Sequence, residues 1–284
     1  MEFRIGCALW GYKDWVGEFF PPKTRAGDFL TLYSRRLTTV EGNTTFYSIP
    51  DADTVKRWAD ETPEGFQFCP KLHRGITHQG PLVPHIEEAI AFLKRMQGLG
   101  DRLGPLFIQL PPSYGPENFA DLTTFLEAWP RDEAELAVEV RHIGWFQRSQ
   151  QERLTELLTH MGTGRVSLDT RPIYDCEDDP QLLSERKKPR VPLCTVSTTD
   201  FCLVRYISHP DQDFNESYWQ GWVHQVAEWL QAGKRVYFFV HCPVEERSVI
   251  FARHFQALLE TAAVPVPALP WNTLAAPPSQ LSLF

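Results

Sequence analysis

No apolar run in the chain approaches the about 18 residues that a membrane span needs; the nearest, Val236 to Val240, has the length of a strand. The opening Met1-Glu2-Phe3-Arg4 lacks the basic-then-apolar order of an export signal, which points to a cytoplasmic location. Its six cysteines, Cys7, Cys69, Cys176, Cys194, Cys202 and Cys242, form no C-x-x-C pair and no zinc-like spacing. Four of them sit in apolar, strand-like runs and read as buried thiols. There is no G-x-G-x-x-G after the first strand-like run and no G-x-S-x-G anywhere, which counts against a dinucleotide fold and a serine nucleophile. Basic residues are also short: Lys and Arg number 28 against 36 Asp and Glu, for a net charge of −8. That balance argues against a general nucleic-acid coat but leaves room for a local basic patch.

What is present suits one large core. The 284 residues are 43% hydrophobic and 23% charged, an ordinary globular mix. Eight short runs are apolar and rich in β-branched or aromatic residues: Phe3–Ala8, Thr38–Glu41, Phe66–Lys71, Pro105–Leu110, Glu135–Val140, Arg165–Asp169, Cys202–Ile207 and Arg235–His241. Amphipathic segments separate most of them. Leu82, Ile86, Ala89, Ile90 and Leu93 share one helical face, and so do Trp219, Trp222, Val226, Trp229 and Leu230. Such a tryptophan stripe reads as core rather than as a platform for bases. Eightfold strand–helix alternation in this length predicts an α/β fold, a (β/α)8 TIM barrel over residues 1–262. Two segments break the rhythm. Residues 170–200 show no clear helix and hold the basic run Glu185-Arg186-Lys187-Lys188-Pro189-Arg190, which reads as a solvated loop or a phosphate contact. Residues 263–284 carry five prolines and read as a semi-rigid extension.

A barrel places its chemistry at the carboxyl ends of its strands, and here those ends are polar. The second run gives Glu41 and Asn43, the third Lys71, the fourth Gln109 and the fifth Glu139, Arg141 and His142. The sixth ends at Asp169, the seventh carries Arg205 and the eighth reaches His241. Burying unpaired ions costs several kcal/mol each, so a set this charged points to a ligand site. Lys71, Arg141 and Arg205 suit an anion, either a small phosphate or carboxylate or a nucleic-acid phosphate. Glu41 and Glu139 are expected as general acid and base with Asp169 as orienter, and His78 as a proton carrier. Asn43, Gln109, His142 and His241 join the expected binding set. Glu41, Glu139, Asp169 and His241 could hold a divalent ion, but the nearby cations count against a multi-metal cluster, so a metal is not favoured and the identity of any cofactor stays open.

The strand ends also carry recognisable motifs. Gly6-Cys7-Ala8-Leu9-Trp10-Gly11-Tyr12 with Trp15, and Val40-Glu41-Gly42-Asn43-Thr44-Thr45-Phe46-Tyr47, resemble the YecE-like family, domain of unknown function 72. Thr62-Pro63, Phe66-Gln67-Phe68 with Lys71, Ile76-Thr77-His78, Gln109-Leu110-Pro111-Pro112-Ser113 and Glu139-Val140-Arg141-His142 with Trp145-Phe146 extend the resemblance over residues 3–260. It implies a TIM barrel and supplies no reaction. Two places depart from the family pattern: Cys7-Ala8-Leu9, where many members have glycine, and Val240-His241, where many have an asparagine pair.

The last five residues, Gln280-Leu281-Ser282-Leu283-Phe284, resemble the peptide by which bacterial replication and repair proteins dock onto the sliding clamp. Leu281, Leu283 and Phe284 would fill an apolar pocket while Gln280 gives polar specificity. The sequence thus supports an enzyme cleaving a phosphoester or glycosidic bond by acid–base chemistry, recruited to DNA replication or repair. A sugar or sugar-phosphate isomerase or lyase uses the same residues, and a non-enzymatic adaptor that senses an anionic metabolite is the third reading.

Overall fold

The computed structural model describes residues 2–182 and 187–272. Its strands are β1 (Phe3–Cys7), β2 (Thr39–Gly42), β3 (Gln67–Pro70), β4 (Leu106–Gln109), β5 (Leu136–Glu139), β6 (Gly164–Asp169), β7 (Phe201–Ile207) and β8 (Arg235–His241). Every pairing is parallel, in a six-stranded sheet ordered β1-β8-β7-β6-β5-β4 and a two-stranded sheet of β2 and β3. Two seams join the sheets into a ring. At one, Thr38 N donates to Ile5 O at 3.1 Å and Ile5 N donates to Thr38 Oγ1 at 2.9 Å. At the other, Gly104 N donates to Phe68 O and Leu72 N to Phe107 O. The strands therefore run around a barrel in chain order. The first seam needs Gly6, because a Cβ there would lie 1.9 Å from Thr39 O.

Register sorts the side chains. Cys69, Phe107, Ala137, Val166, Leu203 and Phe239 form an apolar plug inside the barrel. The outer strand faces pack on helices such as Ile86–Met96 and Glu216–Gln231. Trp219, Trp222 and Trp229 are all buried, with the Trp222 ring edge-on to Phe238 at 5.5 Å, so the tryptophan stripe is core.

Between β6 and β7 the described residues form only one short helical turn, Arg171–Ile173. The segment is nonetheless fastened down. Tyr174 donates its hydroxyl to Lys188 O, Lys188 N donates to Gln181 Oε1 at 2.6 Å, and Thr170 Oγ1 donates to Pro189 O at 3.2 Å. Ile173 and Val191 then cap Leu168 and Ile207 at the top of β6 and β7. The tail also differs from a projecting extension at its root. Val264 is buried, Gln256 Nε2 donates to Pro267 O at 2.9 Å, and the Trp271 ring lies among Phe19, Arg36 and Arg253. Residues 280–284 lie outside the described residues. Among the described residues, no helix is long and apolar enough to cross a membrane.

Candidate functional site

Arg205 is the hub of the barrel mouth. It and Leu168 are register partners, so both face inward above the apolar plug. Its Nε and Nη2 donate to the two oxygens of Glu41, each at 2.8 Å, and Nη1 donates to Glu139 Oε2 at 2.6 Å. Glu139 Oε1 accepts from Arg141 Nε at 2.5 Å, and Arg141 Nη2 donates to Gln109 Oε1 at 2.5 Å. His241 Nε2 donates to Glu41 Oε2 at 2.7 Å. Lys71 Nζ donates to Asn43 Oδ1 at 3.0 Å and lies 4.2 Å from the centre of the Phe46 ring. Glu41, Glu139, Arg205, His241, Lys71 and Gln109 are all buried. This network satisfies the bidentate geometry that lets a guanidinium compensate buried carboxylates.

The electrostatics follow from that wiring. Burial alone would raise Glu41, but Arg205 and then His241 hold its carboxyl well below the usual range. Burial opposes ionisation of Glu139 too, yet Arg141, Arg205 and Lys71 bring it down to about 2. Burial lowers His241 to about 4, so near neutral pH its ring is uncharged. Its contact with the ionised Glu41 assigns the proton to Nε2. Lys71 is displaced well below an ordinary lysine, first by burial and next by Arg205. Lys188 falls to about 8 for the same two reasons.

Above the network lies a cavity of about 400 Å³, lined by Lys71, Arg74, Arg141, Lys187, Lys188 and Arg205 together with Asn43, Phe46, Tyr47, His78, Gln109 and Pro112. Among the described residues, six basic side chains and no carboxylate reach its wall. Glu41 and Glu139 stand behind Arg205 and serve it, an arrangement that takes them away from the expected acid and base roles. The structure thus brings Glu41, Asn43, Lys71, His78, Gln109, Glu139, Arg141, Arg205 and His241 to one end of the barrel. His78 stands on the wall, with Nδ1 2.7 Å from Thr77 Oγ1 and its ring against Phe46.

Two expected residues go elsewhere. Asp169 pairs in register with Tyr206 on the outward face, where it accepts from Arg171 N, Nε and Nη2 and from Trp222 Nε1 at 2.8 Å. It anchors a helix and does not orient a reacting group. His142 accepts from Gly144 N at 3.0 Å through Nδ1 and so caps the turn Ile143–Phe146. Conversely, the residue-by-residue reading missed Arg74 and Glu245, and it left Lys187 and Lys188 only as members of a basic run. Arg74 gave no signal beyond its place three residues after Lys71. Glu245 gave none at all; burial raises it to about 7, with Lys188 and Glu41 acting on it in opposite directions.

The donor sets here do not suit a divalent ion. The oxygens of Glu41 and Glu139 are taken by guanidinium groups. Among the described residues Cys176, Asp178 and His209 approach one another within 4.8 Å. There, however, His209 Nδ1 accepts from Asp211 N at 3.0 Å. The ring proton is therefore on Nε2, which donates to the Asp178 carboxylate at 3.2 Å and has no lone pair for a cation.

Comparison with known proteins agrees with the motifs. The family described as Protein of unknown function DUF72 matches residues 4–274. The UPF0759 protein YecE of Escherichia coli (strain K12) is 35% identical over 244 residues, covering 84% of this chain and 86% of YecE. A crystal structure of a DUF72 family protein from Enterococcus faecalis V583 superposes with a TM-score of 0.69 at 21% identity, over 91% of this chain and 98% of that one. Another, from Thermotoga maritima MSB8, gives 0.68 at 20% identity over 92% and 100%. At those identities the two crystal structures speak to the fold alone. With a family match that runs the length of the barrel, and a relative at this identity over most of both chains, the chain belongs to the DUF72 family.

Proposed function

We propose that the barrel mouth binds a phosphorylated small molecule and transfers a proton on it, as a sugar-phosphate isomerase or lyase does. The observation that carries this reading is a wall to which the described residues contribute six basic side chains and no carboxylate. A phosphate dianion fits that excess, and Arg74, Arg141 and Lys187 offer it charge-assisted hydrogen bonds. Hydrolysis by paired carboxylates is less well served, because Glu41 and Glu139 hold Arg205 in ion pairs and stay ionised. A proton acceptor is better sought in Lys71, whose displaced pKa leaves part of it as free amine. The test is a thermal-shift series with inorganic phosphate, pyrophosphate and ribose 5-phosphate. The protein is expected to gain stability with each, as a ligand that binds only the folded state requires. Arg74→Met should reduce that gain while leaving the unliganded midpoint within a few degrees, because Arg74 is exposed and the described residues give it no carboxylate partner. A flat response of the unaltered protein to all three anions would end this reading.

Recruitment to replication or repair is a separate proposal that rests on Gln280-Leu281-Ser282-Leu283-Phe284. The seven residues between Asn272 and Gln280 would span about 22 Å if extended at about 3.1 Å per residue, a length that would present the peptide clear of the barrel. Tethering raises local concentration, so an acidic protein with a modest phosphate site can still act on DNA. The full chain is expected to bind a bacterial sliding clamp in surface plasmon resonance. Changing Leu283 and Phe284 together to Ala should weaken that binding by about tenfold or more, as loss of two apolar anchors does. Equal binding by the variant and the parent would remove the link.

A further inference from the structure

We propose that Lys71 is a nucleophile which forms an imine with the carbonyl carbon of a phosphorylated aldehyde or ketone held in the barrel mouth. This rests on the reading of the mouth as a phosphate site and names the chemical class of its substrate. The backbone of Lys71 is fixed from two sides. Lys71 N donates to Thr45 Oγ1 at 3.1 Å, and the same hydroxyl lies 2.7 Å from both Lys71 O and Gly42 O. On the other side Lys71 bridges to Phe107 of β4, with Leu72 N donating to Phe107 O. The side chain is only 4% exposed, yet it reaches the cavity wall.

Its surroundings set Nζ apart from Arg205, Arg141 and Lys187, and its place behind Asn43 and between two phenyl rings sets it apart from Arg74 and Lys188, for which the described residues also give no carboxylate partner. Arg205 and Arg141 each touch a carboxylate, and Lys187 pairs with Asp179 at 2.6 Å. Among the described residues, no carboxylate lies within ion-pair distance of Lys71. Its neighbours are the neutral Asn43 oxygen, the Phe46 face and the Phe107 ring, 5.8 Å away at its centre. The charged groups acting on it are the cations Arg205 and Arg141 and the carboxylates Glu41 and Glu139, both already spent on guanidinium groups. An amine that is buried and sits beside other cations favours its neutral form even though the Phe46 face pulls the other way, and the neutral form carries the lone pair that attacks carbonyls.

The chemistry closes without any further reagent. The Nζ lone pair attacks the carbonyl carbon, a C–N bond forms, and the π pair moves to oxygen. The proton on the now cationic nitrogen passes to that oxygen and gives a carbinolamine. Nitrogen then expels the hydroxyl, which leaves as water after taking one proton from solvent at the open mouth. The sum is amine plus carbonyl plus one proton going to protonated imine plus water, and water reverses it. The cationic imine draws electrons from the adjacent carbon, so a proton or a carbon–carbon bond is lost there more easily, as in isomerase or lyase chemistry. Arg74, Arg141 and Lys187 would hold the phosphate while this happens.

The full chain is incubated near neutral pH with dihydroxyacetone phosphate or glyceraldehyde 3-phosphate and sodium cyanoborohydride, which reduces an imine to a stable secondary amine. Peptide mass mapping is expected to find one adduct per chain, on Lys71. Inorganic phosphate should suppress it, and dihydroxyacetone without phosphate should give about tenfold less, because charge-assisted contacts to phosphate are lost. The adduct should persist in Lys56→Arg, a change at an exposed lysine outside the mouth, and vanish in Lys71→Arg, which keeps the charge. Labelling of Lys188 or of scattered surface lysines instead would overturn the proposal. A phosphate-induced thermal shift without any adduct would also overturn it and leave the anion site standing, whereas absence of both would sink the phosphate reading itself.

Discussion

Replacing Arg205 with methionine is expected to cost at least about 5 kcal/mol, because removing one partner of a buried ion pair costs about 3–5 kcal/mol and this change strands two carboxylates. Glu41 and Glu139 would be left with His241 and Arg141 as their remaining cationic or donor contacts, inside a barrel where both are fully enclosed. Domains of this kind have about 5–15 kcal/mol of stability in total, so the variant should melt early or fail to fold. Arg205→Lys should rescue little, since an ammonium cannot fork across two carboxylates as Nε, Nη1 and Nη2 do here. A triple change of Arg205→Met, Glu41→Gln and Glu139→Gln should recover much of the loss, because no uncompensated charge then remains. Urea titration of the three variants measures each step. A wild-type midpoint for Arg205→Met alone would mean that the two carboxylates do not depend on this guanidinium. Arg74→Met provides the contrast: it is exposed at the wall with no carboxylate partner among the described residues, so its loss should strike phosphate binding far more than folding.

That contrast shows what strand-level reading can and cannot reach. Each of the eight strands lies within two residues of its expected run, because β-branched and aromatic residues bounded by polar turns leave few alternatives. The Trp219 to Leu230 stripe was decided by its helical period alone. The packing of Val264 and Trp271 was not, since the partners of Trp271, Phe19, Arg36 and Arg253, are remote in sequence and no local pattern joins them.

The site was legible where alternation could act and opaque where it could not. Glu139 and Gln109 share a register pair, and Glu41 meets Arg205 across the barrel, as polar strand ends pointing inward must. Asp169 broke the rule for a reason outside its own strand. Either Leu168 or Asp169 could have faced the axis. The choice is made by Ile173 and Val191, which close the top of β6 with an apolar cap and so take Leu168 inward. A single residue of parity then sends Asp169 to Trp222. Arg74, Lys187, Lys188 and Glu245 come from loops, where no periodicity says which side chain turns toward the mouth.

Glu245 gives the second large effect. Glu245→Gln is expected to be more stable than the parent by about 3 kcal/mol near pH 7, and to lose that advantage as the pH falls toward 4.5. The sign follows from linkage. Burial, against Ser248 and Lys188, raises Glu245 from 4.5 to about 7 in the folded chain, with Glu41 and Glu246 adding to the rise. Its Oε1 is buried without a hydrogen-bond partner among the described residues. A raised acid favours folding at low pH and loses that contribution as pH climbs through about 7, so at neutral pH the carboxyl is a liability that glutamine lacks. His241 acts in the opposite sense over nearly the same range. Burial lowers it from 6.5 to about 4, so its contribution is full above 6.5 and drains away as pH falls through about 4. At about 1.4 kcal/mol for each tenfold, either displacement is worth about 3 kcal/mol. In the parent the gain from Glu245 and the loss from His241 offset each other from pH 7 to 4.5, so the fall that remains over that range is the one set by Lys71, whose lowered amine disfavours the proton in the folded chain. Below that, Glu139 binds its proton in the unfolded chain but, held at about 2, refuses it in the folded one, so stability drops steeply as pH falls toward 2. Glu245→Gln uncovers the His241 slope, so its urea midpoint should fall from pH 6.5 to 4 more steeply than that of the parent. Parallel curves for the two proteins would mean that Glu245 is ionised at neutral pH and that its buried oxygen is solvated.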